Sequence, residues 1–308
     1  MKQNLLQIGH FPDFVQDMID AEFHCHRWDT LQHDAGMRSQ IRGIITRSNY
    51  DIPEATVEQL PNLGVIATCG VGYDLIPLEL AASKGILVAN TPDVLNSAVA
   101  ELALALTLAL LRNLPAADRF VKTSQWKTSA FPLGSSLAGK RVGIIGLGRI
   151  GKEIARRFAA FDVRISYYGR TDQNLDLHFE PDLTALARNN DILIIAAPGG
   201  SDTTDLINSS VLSALGPDGY LINIARGSLV DETALIHALR TGGISGAALD
   251  VFKNEPDINP ELFELDNVIL APHMGSATHQ TRRIMAELTL DNLRQFFKDG
   301  TVLTPVPS

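Results

Sequence analysis

Two α/β domains, each built on a parallel sheet, are predicted by three observations. Short continuous apolar runs recur along the chain, separated by amphipathic or polar stretches, which is the pattern of strands buried on both faces and alternating with helices. One of these runs leads directly into a glycine-rich loop and then a helical stretch. The length, 308 residues, suits about two domains of roughly 100–200 residues each.

In the first part of the chain the runs are IRGIITRS (41–48), NLGVIATCG (62–70) and ILVANTP (86–92). In the second part they are RVGIIGLG (141–148), VRISYYG (163–169), DILIIAAP (191–198), GYLINIARG (219–227), ISGAALDVF (244–252) and NVILAPH (267–273). Between the two sets, Asn96 to Leu114 reads as one long helix, and Pro115 cannot continue its interior. Its apolar core ELALALTLALL is too short to span a bilayer, which takes about 20 residues, so burial is the better account. From about Met285 the chain reads as helical again. These elements place one domain at residues 1–97 with 283–308, and the other at 98–282.

Composition narrows the function. A net charge of −9 excludes a general nucleic-acid binder, which needs a basic face to replace phosphate counterions. Cys25 and Cys69 are too few for a disulfide framework and point to a reducing compartment. The N-terminal MKQNLLQIGHFPDF lacks a basic flank followed by an apolar run and a cleavage site, so a cytoplasmic location is expected, with no membrane partner. EFHCHRW (22–28) raises a metal reading, but neighbours on a strand face opposite ways, so only His24 and His26 share a side. No second ligand pair accompanies them, and a solvated strand or turn is expected. No metal is expected.

The loop GIIGLGRIG sets Gly146, Gly148 and Gly151 in the spacing of a dinucleotide fingerprint. The first glycine permits a tight turn, the second admits the pyrophosphate close to the backbone, and the third lets helix and strand pack. The helix KEIARRFAAF would then aim its N-terminus at the phosphates. About 20 residues further on, at the end of the second strand, such domains carry an acid for the ribose. Here the position holds Arg170, followed by Thr171, and the nearest acid, Asp172, comes only after it. An arginine there suits the 2′-phosphate of NADPH; the alternative is a surface arginine at a strand end.

Three further strand ends each carry one polar residue: Arg226 in INIARG, Glu255 in LDVFKNEP and His273 in LAPHMG. Ligands of open α/β sheets bind along that edge. Histidine exchanges a proton near neutrality and suits the protonation of a developing alkoxide. A carboxylate on its other ring nitrogen would orient it and favour the acid form. An arginine would pair with a substrate carboxylate and polarise the adjacent carbonyl. Taken singly, His273 could also end a strand and Glu255 could sit in a solvated turn.

The motifs GIIGLGRIG, NIARG, LDVFKNEP and PHMGSAT, in this order, together with CGVGYDLIP and NTPDVLNSAVAELALAL nearer the N-terminus, resemble the D-isomer specific 2-hydroxyacid dehydrogenases over nearly the whole chain. Within that family SYYGRT and the ending LTPV are most similar to the NADPH-dependent glyoxylate/hydroxypyruvate reductases. The resemblance implies a flavodoxin-like substrate domain beside an NAD(P)-binding Rossmann domain. It implies that Arg226, Glu255 and His273 are catalytic, and that the backbone N–H groups of Val71 and Gly72 bind the substrate with Arg226 and His273. It implies cofactor contacts at Arg149, Ile150, Ala197, Pro198, Ile224, Ala225, Asp250, Gly275 and Ser276, besides the loop glycines, Arg170 and Thr171.

NADPH preferred over NADH, a small 2-keto acid reduced in an interdomain cleft, and a homodimer joined through the Asn96–Leu114 helix complete the expectation. PGGSDTT (198–204) departs from the family's usual PLTPET, which bears on the adenine side. Arg47 and Ser48 end a strand, with a substrate contact or a plain loop role both open. Two other readings stay open: a different substrate, such as phosphoglycerate, a bulky phenylpyruvate or a sugar-derived keto acid, and a nucleotide-sensing corepressor-like protein.

Overall fold

The computed structural model describes residues 2–307. The chain forms two compact units, one holding the residues up to Leu95 and from Ser276 onward, the other Asn96–Gly275. The boundaries 97/98 and 282/283 drawn from the sequence fall inside the helices Asn96–Arg112 and His279–Asp299, whereas the units divide in the turns just before those helices. A continuous hydrogen-bonded helix moves as one piece, so a unit boundary belongs at its start.

The first unit carries β1 (Gln3–Gln7), β2 (Phe23–His26), β3 (Gly43–Arg47), β4 (Val65–Cys69) and β5 (Leu87–Ala89). All are parallel, in the order β2-β1-β3-β4-β5, the flavodoxin-like arrangement. Successive residues point to opposite faces. Leu6, Ile44, Ile66 and Val88 therefore fill one core, and Leu5, Ile45, Val65 and Ala67 fill the other. The second core is closed by Ala286, Leu290, Leu293 and Phe296 of the helix His279–Asp299. That helix starts earlier than the apolar pattern suggests, because the Thr278 hydroxyl caps it by accepting from Thr281 N at 3.1 Å. In β2, His26 Nε2 lies 3.1 Å from Asn4 Oδ1 on the neighbouring strand.

The second unit carries β6 (Arg141–Ile145), β7 (Arg164–Tyr168), β8 (His178–Phe179), β9 (Ile192–Ile195), β10 (Tyr220–Asn223), β11 (Gly246–Leu249) and β12 (Val268–Leu270). They are parallel in the order β12-β11-β10-β9-β6-β7-β8, so the winding reverses between β6 and β9. The helix Asn96–Arg112 packs on the helix Arg149–Phe158 and on β11, burying Ala98, Val99, Ala103, Leu106 and Leu111. Among the described residues no single helix is long and apolar enough to cross a membrane.

Candidate active site

The glycine loop leaves β6 at the point where the sheet reverses, and each glycine answers to a specific contact. Gly146 has φ +93, and a Cβ there would come within 2.7 Å of the Ala197 backbone, which leaves β9. A Cβ on Gly151 would stand 2.2 Å from Gly146 O, so only glycine lets the helix lie this close to the turn. A Cβ on Gly148 would meet nothing within 4 Å. That residue caps the helix Arg149–Phe158, whose N-terminus opens with Arg149 and Ile150 at this edge. Tight turn, open flank and helix N-terminus together fit the pyrophosphate of a dinucleotide.

Arg170 and Thr171 are exposed just beyond β7. Asp172 is not offered beside them. It accepts the Tyr167 hydroxyl at 2.6 Å and Asn174 N at 2.9 Å, and the same hydroxyl accepts from Gln173 N at 2.8 Å. These bonds, that from Tyr167 first, hold its carboxyl below the usual aspartate value. The charge presented at the end of β7 is therefore the guanidinium.

The three candidate catalytic residues follow neighbouring strands of this one sheet. His273 Nδ1 lies 2.6 Å from Glu255 Oε2, and Glu255 Oε1 accepts from Phe252 N at 3.0 Å. Both side chains are half-buried, 29% and 22% exposed, although the Glu255 backbone lies at the surface. Burial by itself would raise the Glu255 carboxyl. The His273 bond and charge, the Phe252 N–H and the charge of Arg226 outweigh it and hold the group below its ordinary value. With Nδ1 on the carboxylate, Nε2 is the ring nitrogen left to hand over a proton.

Arg226 follows β10, and its Nη1 donates to Ala225 O at 2.8 Å. Two residues that sequence reasoning missed set its turn. Asn223, 1% exposed, donates from Nδ2 to Arg226 O at 2.8 Å and accepts from Ala225 N at 3.1 Å. A Cβ on Gly227 would fall 1.9 Å from the Phe252 carbonyl carbon, so the Arg226 turn lies directly against the segment leading to Glu255. The available signals are an asparagine ending an apolar strand and a glycine following an arginine.

Asp250, which the resemblance assigns to the cofactor, has both carboxylate oxygens engaged by backbone: Oδ1 by Met274 N at 2.7 Å and Oδ2 by Gly275 N at 2.8 Å. Burial pushes its carboxyl up to about 6, against the opposing pull of those N–H groups and of the His273 charge. It braces the turn that carries His273, which sits at φ +50. Ala197 and Pro198 follow β9, Ile224 and Ala225 follow β10, and Gly275 follows β12, all at the same edge of the sheet.

Ser276, Val71 and Gly72 belong to the first unit. Val71 and Gly72 follow β4, where Asn90 Nδ2 donates to Val71 O at 2.8 Å and fixes the turn. Among the described residues no cluster of histidine, cysteine or carboxylate groups has the makings of a metal site.

Residues 104–275 match the family described as D-isomer specific 2-hydroxyacid dehydrogenase, NAD binding domain. A 2-ketogluconate reductase from Gluconobacter oxydans (strain 621H) is 42% identical over 306 residues, covering 99% of both chains. A glyoxylate/hydroxypyruvate reductase from Arabidopsis thaliana is 46% identical over 307 residues, covering 98% of each. The crystal structure of an NADPH-dependent glyoxylate/hydroxypyruvate reductase from Sinorhizobium meliloti, in complex with NADP and malonate, superposes with a TM-score of 0.93 at 42% identity, covering 99% of this chain and 97% of that one. Its relatives are thus 2-hydroxyacid reductases, and the chain is an oxidoreductase that belongs to the D-isomer specific 2-hydroxyacid dehydrogenase family.

Proposed function

We propose that this enzyme reduces a small 2-keto acid, glyoxylate or hydroxypyruvate, to the D-2-hydroxy acid with NADPH. The observation that carries the reading is the 2.6 Å contact between His273 and Glu255, with the charge of Arg226 acting on the same carboxylate. In this reading Arg226 and the N–H groups of Val71 and Gly72 bind the substrate carboxylate. His273 Nε2 then donates a proton to the keto oxygen, and Glu255 stabilises the ring as it changes charge. The nicotinamide, when bound, supplies the hydride that the keto carbon receives.

Gly146, Gly148, Gly151, Arg149 and Ile150 would hold the pyrophosphate, and Arg170 with Thr171 the 2′-phosphate. Ala197, Pro198, Ile224, Ala225, Asp250, Gly275 and Ser276 would border the rest of the dinucleotide. Support for NADPH comes from the exposed arginine at the end of β7 and from the NADP named in the Sinorhizobium complex.

A homodimer belongs to the same proposal. Leu114, Val121, Trp126 and Leu133, just beyond the Asn96–Arg112 helix, are 52%, 55%, 70% and 101% exposed, an apolar surface that a second copy would cover. The two free cysteines suit the reducing cytoplasm. Initial rates with NADPH and with NADH, each against glyoxylate and hydroxypyruvate, test the reading. Fast oxidation of NADPH with weak oxidation of NADH is expected. No turnover of either acid with either cofactor refutes it, and light scattering of the purified chain at the monomer mass refutes the dimer.

A further inference from the structure

The loop that follows β7 carries two opposite charges within three residues. Arg170 suits a 2′-phosphate, whereas Asp172 would repel one and would suit the free ribose hydroxyls of NADH. Both residues are exposed, so the arginine's pull on a phosphate would be largely offset by a carboxylate free to turn toward it. What the loop selects therefore depends on where the Asp172 carboxylate is kept.

It is kept by a side chain from inside the sheet. Tyr167 of β7 is 0% exposed, pairs in register with Phe179 of β8, and has its ring centre 5.3 Å from that of Phe179. Its hydroxyl donates to Asp172 Oδ1 at 2.6 Å and accepts from Gln173 N at 2.8 Å, so the one phenolic proton is committed to the carboxylate. The same carboxylate oxygen accepts from Asn174 N at 2.9 Å, where the chain turns at φ +51. The loop is also fastened on the dinucleotide side. Gly146 N donates to Tyr168 O at 2.9 Å, and Lys152 Nζ, in the helix Arg149–Phe158, lies 3.5 Å from Gln173 Oε1.

We propose that Tyr167 is a positioning residue for cofactor selectivity: its buried hydroxyl holds the Asp172 carboxylate away from the ribose, so that Arg170 meets the 2′-phosphate without an opposing charge. The proposal rests on the reading that Arg170 binds that phosphate. It makes the preference for NADPH depend on a hydroxyl group that touches no part of the cofactor, and it makes Asp172 the group that acts once that hydroxyl is gone.

The test measures dissociation constants for NADPH and NADH by fluorescence titration and follows the ratio of the two. Tyr167→Phe, which removes one oxygen atom, should lower the preference for NADPH about 10-fold, the effect of one added negative charge within several ångströms of a phosphate at a protein surface. Adding Asp172→Asn to that variant should restore the ratio to within about threefold of wild type, a rescue that a merely structural role of the tyrosine does not predict. Asp172→Glu, at an exposed position, keeps the charge but moves the carboxylate off the point where Tyr167 and Asn174 bond it. It serves if the phenylalanine variant does not fold, and it should lower the ratio in the same direction. A ratio unchanged within about twofold in Tyr167→Phe, or in Asp172→Glu where that variant stands in for it, overturns the proposal, as does a fall that Asp172→Asn leaves uncorrected. In those cases a wild-type preference for NADPH leaves the reading of Arg170 standing. A wild-type protein that binds both cofactors equally removes that reading and the proposal together.

Discussion

Replacing Glu255 with glutamine removes one charge and little else, which makes it the sharpest probe of the proposed acid–base pair. Glutamine keeps the carbonyl oxygen that accepts Phe252 N at 3.0 Å, so the local turn survives. What is lost is the carboxylate 2.6 Å from His273 Nδ1, a charge-assisted bond between half-buried groups worth about 1.5–3 kcal/mol. A loss of that size corresponds to about a 10- to 100-fold weaker hold on the proton-bearing state of the pair.

The direction follows from the signs. The carboxylate stabilises the proton-bearing state of the pair, and reduction consumes that proton. The alkaline limb of the kcat profile, followed by oxidation of NADPH with glyoxylate, should therefore move to lower pH, with kcat at neutral pH reduced about 10- to 100-fold. The affinity for NADPH, read by fluorescence titration, should stay within about twofold, since the change is confined to one proton-transfer pair. A limb that does not move, with kcat unchanged, would refute the assignment of Glu255. The same substitution has a stability signature. The native glutamate is held below its ordinary value of 4.5, so its contribution is present above that pH and lost as pH falls through the lowered native value; the glutamine variant should lose this acid-side slope.

Arg170→Asp should weaken NADPH binding at least about 10-fold while leaving NADH nearly unchanged, because only the former carries the 2′-phosphate; equal effects in paired titrations would remove Arg170 from that site. Gly227→Ala should cost upwards of about 3 kcal/mol, since its Cβ would lie 1.9 Å from the Phe252 carbonyl carbon, and denaturant melts within about 0.5 kcal/mol of wild type would contradict the contact. Asp250 titrates at about 6 in the fold against an ordinary 3.8, so the folded state binds this proton more tightly than the unfolded chain. Its stabilising contribution is complete below 3.8 and lost as pH rises through about 6, on the order of 3 kcal/mol in all. Urea melts of Asp250→Asn should lack that component, and an identical pH dependence in the two proteins would refute it.

The elements visible in the sequence were those whose burial is two-sided. GIITR and RVGII are continuous apolar runs because helices cover both faces of their sheets. β1 escaped notice because QNLLQ has only Leu5 and Leu6, one for each core; β2 was legible only as a solvated strand or turn, because an edge strand reading FHCH buries only Phe23. β8 is two residues long and leaves no pattern. The glycine loop was legible for a different reason: the strand, the glycine spacing and the helix follow one another within a few residues, although Gly146 also lies against the distant Ala197 backbone. The contacts that hold the candidate site together are made between segments far apart in sequence, as when Gly227 meets Phe252.

Asp250 shows how much such a contact can decide. His273 stands at φ +50, a conformation costing a non-glycine residue about 1–3 kcal/mol, which persists only where its surroundings over-determine it. The two bonds from Met274 N and Gly275 N to the Asp250 carboxylate are that surrounding, and they fix the chain directly after the histidine. A buried carboxylate placed to brace a strained backbone bears a cost of its own, visible in its raised titration. The fold tolerates both costs at two neighbouring strand ends, and the imidazole is thereby held against Glu255. That explains why an aspartate belongs at position 250, a reason that neither its neighbours LDVF nor the motif PHMG disclose on their own.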